Sequence, residues 1–167
     1  MSGPYRVELL NSGHPRATFE CGVEALNAYL QRQASQDAKR RVSACYVAIT
    51  NITEPAIAGY YTLAAGSVGL TDLPQALAKR LPRYPAVPVA RLGRLAIATA
   101  CQGQKLGAAL LADAAVRASR SEVAVFALVV DAKDDTAKAF YRHHGFDDCG
   151  DKPRQMIVSL SRFLSLA

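Results

Sequence analysis

Several kinds of motif are scarce or missing in this chain, and each gap removes a class of protein. The sequence holds four cysteines (Cys21, Cys45, Cys101 and Cys149), far apart and with no CxxC pair. Its three histidines are His14 and the adjacent His143 and His144, which a helix would splay apart. Neither a zinc spacing nor a disulfide framework is present, so no metal is expected and the thiols read as free in a reducing compartment. No apolar run approaches the ~20 residues that a membrane span needs. The opening segment, MSGPYRVELL, lacks a secretory signal's basic and apolar regions. A soluble, cytoplasmic protein with no membrane partner is therefore expected. No repeat, low-complexity tract or long linker divides the 167 residues, which suit a single domain over 1–167.

The most informative absence is local. From Leu73 through Ala112 there is no Asp or Glu, while Lys79, Arg80, Arg83, Arg91, Arg94 and Lys105 all lie inside that stretch. Lys39, Arg40 and Arg41 form a second cluster. The whole chain carries 20 Lys and Arg against 14 Asp and Glu, a net charge of +6. Such a balance fits a polyanionic cofactor, a nucleic acid or an acidic protein. Half the residues are hydrophobic, enough for a packed core and against disorder.

Tyr5–Leu10 reads as a strand. Phe19–Arg41 reads as a helix, with Val23, Leu26, Tyr29 and Leu30 at helical spacing. Val42–Ile49 and Ala56–Val68 read as two arms of a hairpin around the turn residues of Asn51–Pro55, with Gly59 marking a bulge. Thr71–Leu81 is expected to be a short helix capped by Asp72, with Pro74 in its first turn. Strand Val89–Ala98, helix Ala108–Ala118, strand Val123–Val130 and helix Asp134–His144 follow, the last ended by Gly145 at C′. Phe146–Cys149 and Gln155–Leu160 close the chain as strands. This order predicts an α/β fold built on a mixed sheet.

One turn stands out. Strand residues Arg94 to Ala98 lead through Gln102-Gly103-Gln104-Lys105-Leu106-Gly107 into a helix beginning near Ala108. Backbone N–H groups of such a turn, with the positive end of the helix, converge on a phosphate. Gly103 and Gly107 remove side chains where a ligand must come close. The spacing is neither GxGxxG nor a P-loop. It resembles the pyrophosphate loop of the GNAT acetyltransferases: Gln or Arg, two residues, Gly, one residue, then Gly or Ala. Gln102 and Gly107 fill the outer positions. Lys105 stands where glycine is usual; it keeps a backbone N–H and adds a cation beside the diphosphate or the ribose 3′-phosphate.

VVDAKDDTAKAFYRHHGF, Val129 to Phe146, is similar to the next strand and helix of the same family. The resemblance implies a mostly antiparallel sheet with a splayed parallel strand pair, flanked by helices. It implies acetyl-CoA held by Leu95, Ala96 and Ile97 of one strand, by the loop from Gln102 to Ala108 (Gly103, Gln104, Lys105, Leu106 and Gly107 between them), and by Ala137 and Phe140. Tyr141 is then the catalytic residue: a phenol of ordinary pKa ~10 can donate to a leaving thiol of roughly 8.5. His143 and His144 read as surface or packing residues. Asp131 is a candidate for holding a turn or orienting the acceptor.

The first half narrows the family. FECGVEALNAYLQRQASQDAKRRVSACYVAI, IAGYYTLAAGSV and PRYPAVPVARLGRLAI resemble toxins encoded beside ribbon-helix-helix antitoxins, over roughly Phe19 to Leu160. That implies acetylation of the α-amino group of aminoacyl-tRNA, an antitoxin partner and a homodimer. Lys79, Arg80, Arg83, Arg91 and Arg94 are the candidate tRNA contacts. Alternate strand residues face opposite sides, so Arg91 and Arg94 are expected to point apart. No Asp or Glu lies on the strand before the loop to serve as a base, which suits an amine that loses its proton easily. Two alternatives stand beside this one: an acetyltransferase for a small amine such as a polyamine, drug or amino acid, and a non-catalytic nucleic-acid-binding module.

Overall fold

The computed structural model describes residues 4–166. Met1, Ser2, Gly3 and Ala167, the ends of the domain read over 1–167, lie outside the described residues. The chain divides into two units, one running through Ala64 and resuming at Gly93–Ala114, the other comprising Ala65–Leu92 and the residues from Ala115 on.

The first unit opens with β1 (Tyr5–Leu9) and continues through α1 (Glu24–Ala28), a π-wound turn (Tyr29–Gln33), α2 (Ala34–Lys39) and β2 (Ala44–Thr50). β3 (Ile57–Gly69) starts here and runs into the second unit. β1 pairs antiparallel with β2, from Tyr5↔Thr50 to Leu9↔Tyr46. β2 pairs antiparallel with β3, and the register slips between Ala48 and Ile49, leaving Ala58 as the extra residue. The bulge expected at Gly59 thus falls one residue earlier. Phe19, Tyr29, Leu30, Val47, Ile49 and Tyr60 form the core of this unit. Truncating a fully buried member such as Leu30 to Ala costs about 2–5 kcal/mol.

The second unit holds a 3₁₀ turn (Leu70–Asp72), α3 (Gln75–Ala78) and the start of β4 (Ala86–Ile97). It ends with β5 (Ala127–Asp131), α5 (Asp135–His143), β6 (Asp147–Asp148), β7 (Gln155–Ser159) and α6 (Leu160–Leu166). α4 (Leu106–Ser119) begins in the first unit and ends in the second. β5 runs parallel to β4 from Val89↔Ala127 to Leu92↔Val130, and antiparallel to β7. β6 is a two-residue edge antiparallel to β7. Val68, Leu77, Val87, Val89, Val129 and Ile157 fill the core. The seven strands hydrogen-bond in the order β1-β2-β3-β4-β5-β7-β6, the mixed sheet with one parallel pair that the sequence predicts.

Three expectations need correction, and one further element was not read from the sequence. The helix read over Phe19–Arg41 begins at Glu24, because side chains intercept the backbone before it: the Cys21 N–H donates to the Asn27 Oδ1 and the Gly22 N–H to the Glu20 carboxylate. Gly22 is also left-handed at φ 87°. The helix expected over Thr71–Leu81 is a 3₁₀ turn followed by one short α-turn; Asp72 caps nothing and Pro74 is itself the N-cap. The strand read from Val123 begins at Ala127, where pairing with Val89 starts, and Val123 is exposed. An apolar run shows that a strand exists but not where its ladder begins. α6 lies beyond the last element read from the sequence.

Candidate active site

The loop after β4 belongs to the first unit. β4 ends at Ile97, a 3₁₀ turn covers Thr99–Cys101, and α4 begins at Leu106. Leu106, Leu110, Leu111 and Ala114 are buried and pin the helix, so its first N–H groups are fixed in place. No acid occupies its first turn, which leaves the positive end of the helix uncompensated for an anion.

Two residues of this loop take the left-handed backbone, Gly103 at φ 80° and Lys105 at φ 62°. Lys105 therefore adopts a conformation that favours glycine. A lysine there costs roughly 1–2 kcal/mol relative to an unstrained backbone. Nothing lies within 4 Å of where a Cβ on Gly103 would stand, so the turn is open on that side. A half-open turn, free helical N–H groups and one lysine fit a diphosphate.

The loop is braced from the segment around Glu20. The Gln102 Nε2 donates to the Ile97 carbonyl at 3.0 Å and to the Cys21 carbonyl at 3.3 Å. The Thr99 N–H donates to the Glu20 carbonyl at 2.9 Å. Asn27, 3% exposed, spends its Oδ1 on the Cys21 N–H and its Nδ2 on the Glu20 carboxylate, at 2.9 and 2.7 Å. These bonds hold the Glu20 carboxyl below the usual carboxylate range. Gly59 completes the fit from β3: a Cβ there would stand 2.8 Å from the Ala96 carbonyl and 3.1 Å from Leu110. The phenol of Tyr5 donates to the Gln104 Oε1 at the far side of the loop. Sequence reasoning assigned Gln102 to the ligand, yet its amide nitrogen is committed to protein carbonyls. The brace residues Glu20 and Asn27 were missed; their signal was a Gly and an Asn in a segment otherwise read as helix.

Tyr141 belongs to the second unit, on α5. Asp134 caps that helix by accepting from the Ala137 N–H at 2.8 Å. At the other end the Gly145 N–H donates to the Arg142 carbonyl and the Phe146 N–H to the Tyr141 carbonyl, at 3.0 and 3.1 Å. This is the Schellman arrangement, with Gly145 at C′ (φ 94°) and Phe146 at C″ packed edge-on against Tyr141 at 5.3 Å. The Tyr-x-x-x-Gly-Phe pattern is thus a helix stop whose own apolar contact fixes the tyrosine ring. Phe140 meets the ring from another side at 5.2 Å.

Tyr141 is 7% exposed, and burial pushes its pKa up to about 12. The phenol is therefore a proton donor throughout the physiological range. His144 packs edge-on against Phe140 at 4.7 Å, and desolvation, then His143, lowers its pKa.

The cations divide. Lys79, Arg80 and Arg83 are exposed. Arg91 pairs with Asp131 at 2.9 Å. Arg94 lies in the first unit with its guanidinium 3.5 Å from the centre of the Tyr29 ring, whose hydroxyl donates to Asp37 at 2.8 Å. Arg91 and Arg94 thus go to different partners. Asp131, weighed as an acceptor-orienting residue, is the counter-ion of Arg91.

Comparisons with known proteins agree with this construction. The acetyltransferase (GNAT) domain family matches residues 78–158. A tRNA-acetylating toxin of Mycobacterium tuberculosis is 31% identical over 160 residues, covering 95% of this chain and 93% of that protein. The structure of AtaT complexed with acetyl-methionyl-tRNAfMet superposes with a TM-score of 0.88 at 30% identity, covering 97% of this chain and 98% of that one. A Tyr-to-Phe variant of AtaT bound to the C-terminus of the antitoxin AtaR and acetyl-CoA gives a TM-score of 0.80 at 27% identity, with 98% of each chain covered. With likeness of this degree along nearly its whole length, the chain belongs to the GNAT acetyltransferases, in the group of the tRNA-acetylating toxins.

Proposed function

We propose that this chain transfers the acetyl group of acetyl-CoA to the α-amino group of aminoacyl-tRNA and so acts as a toxin that blocks translation. The observation that carries the reading is the loop between β4 and α4, braced by Gln102 and held in a left-handed turn even where the residue is Lys105. The N–H groups from Gly103 to Ala108 and the Lys105 ammonium would hold the diphosphate. Backbone groups of Leu95, Ala96 and Ile97 would pair with the pantetheine arm as an added strand does, with Ala137 and Phe140 beside it.

Acetyl-CoA supplies an activated acyl thioester; the neutral amine attacks its carbonyl, a C–N bond forms and the C–S bond breaks. Tyr141 would lend its hydroxyl proton to the departing sulfur, and the proton shed by the attacking nitrogen would return, directly or through solvent, to the phenolate. Its raised pKa keeps that proton in place at every pH where the amine is free to react. A Tyr-to-Phe change in AtaT is the substitution that removes such a hydroxyl. The acceptor needs no acidic base: an α-amino group is largely neutral just above pH ~8, and esterification lowers its pKa further.

Lys79, Arg80, Arg83, Arg91 and Arg94 would meet tRNA phosphates. The whole of 1–167 would form one GNAT domain, homodimeric and cytoplasmic. No helix among the described residues is long and apolar enough to cross a membrane. An antitoxin of the ribbon-helix-helix type would lay an acidic tail over the same cations and exclude tRNA. If co-purified antitoxin left acetylation at full rate, occlusion would be the wrong mechanism.

The test is transfer of labelled acetyl from acetyl-CoA to a pool of charged total tRNA, run beside polyamines and free amino acids. Label that stays with RNA and leaves on ester hydrolysis supports the proposal. Label on the small amines alone assigns the chain to small-molecule acetylation.

A further inference from the structure

The segment between α3 and β4 has a construction that the catalytic reading does not use. Leu73 and Leu77 are buried at its base, and the Pro85 carbonyl accepts from the Leu70 N–H at 3.1 Å. The Tyr84 N–H closes back on the Pro82 carbonyl at 2.8 Å. Tyr84 is therefore held between two prolines on an anchored turn, and yet its side chain is out: the residue is 62% exposed, among the most exposed large apolar residues of the chain. Lys79, Arg80 and Arg83 are exposed on the same segment. No acid lies in the sequence between Leu73 and Ala112.

An exposed aromatic ring normally finds cover, because burying a side chain of that size is favourable. A rigid ring presented among exposed cations has the chemistry of a stacking platform for single-stranded nucleic acid, where the cations track phosphates and the ring takes a base face. Only unpaired bases offer that face, and the unpaired stretch of a charged tRNA beside its reactive ester is the 3′ end.

We propose that Tyr84 stacks on an unpaired base of the tRNA 3′ end, with Lys79, Arg80 and Arg83 on the flanking phosphates. This rests on the aminoacyl-tRNA reading above and deepens it. It makes recognition depend on the single-stranded tail and not only on the charge of the duplex.

The experiment measures binding of the full-length protein to two fluorescent RNAs by anisotropy. One is an acceptor-stem hairpin with a four-nucleotide unpaired 3′ tail; the other is the same stem, blunt. Wild type is compared with Tyr84→Ala and Tyr84→Phe, and acetyl-CoA binding reports folding. The wild type is expected to prefer the tailed RNA. Tyr84→Ala should lose roughly tenfold or more on the tailed RNA and little on the blunt one, at unchanged acetyl-CoA affinity. Tyr84→Phe, which keeps the ring, should bind as wild type. Equal wild-type affinity for the two RNAs, or an equal loss on both in Tyr84→Ala, overturns the proposal. Loss of self-association in Tyr84→Ala, with tail preference intact, would overturn it by assigning the ring to an interface. Acetyl transfer to charged tRNA is scored separately: its absence in the wild type removes the functional reading, while the tailed-against-blunt contrast still decides the role of Tyr84.

Discussion

Among the described residues, two non-glycine residues carry a left-handed backbone, Lys105 at φ 62° and Arg41 at φ 60°, and both are basic. Arg41 stands at the C′ position of α2: its N–H and that of Val42 donate to the Ala38 and Asp37 carbonyls at 3.1 Å, the place where glycine is favoured. A cation retained where glycine would be less strained points to a use for the charge. Lys105→Gly and Arg41→Gly should each raise unfolding stability by about 1 kcal/mol. Only Lys105→Gly should weaken acetyl-CoA binding, which calorimetry beside thermal unfolding would separate. Lys105→Gly with undiminished acetyl-CoA affinity would leave the ammonium without a phosphate.

The pH dependence also belongs to single residues. Burial raises the Tyr141 pKa from 10 to about 12. The folded state therefore holds that proton more tightly than the unfolded chain. The resulting stabilisation is full below pH 10 and is lost as pH climbs through 12. In the rate, kcat/KM should rise as the acceptor amine deprotonates and then stay level through pH 9. A fall with a midpoint below about 9.5 would mean that the donor is not a buried phenol.

Among elements, the brace from the Glu20 segment to the loop makes a distinct prediction. Asn27→Ala would strip the Cys21 N–H and the Glu20 carboxylate of a partner, and should cost about 1–3 kcal/mol in stability. Acetyl-CoA affinity should fall with it, because Cys21 and Glu20 also hold Gln102 and Thr99. Loss of stability with full acetyl-CoA affinity would make Asn27 a core residue and nothing more.

The elements also show what could be read beforehand. β4, the loop and α5 were legible because their punctuation is chemical: Gly103 and Gly145 stand where the backbone turns, and Asp134 stands where a helix starts. The brace was hidden because Phe19–Arg41 has helical apolar spacing, while the bonds from the Glu20 segment to the loop join residues up to 81 positions apart. Register was hidden too. Nothing local distinguishes Val123, which is exposed, from Val129, which is buried in a ladder. The partners of Arg91 and Arg94 likewise come from distant sequence, Asp131 and Tyr29.

For the whole molecule, charge sets how RNA is met. With a net charge of +6 and three exposed cations on the Tyr84 segment, affinity for tRNA should fall steeply with salt. Replacing Lys79, Arg80 and Arg83 together by Ala should reduce the slope of log K against log salt by about 2–3, at roughly 0.7–0.9 per phosphate contact. An unchanged slope would put the contacts elsewhere, on the Lys39 cluster first.

Acetyl transfer with Tyr141 as the proton donor is the reaction we propose. It is tested most directly by single-turnover transfer of labelled acetyl from acetyl-CoA to charged tRNA, wild type against Tyr141→Phe, with acetyl-CoA affinity measured on the same preparations. A rate lower by about a hundredfold or more, at near-normal cofactor affinity, is the expected result for loss of a proton donor. Transfer at the wild-type rate by Tyr141→Phe would contradict the assignment of Tyr141.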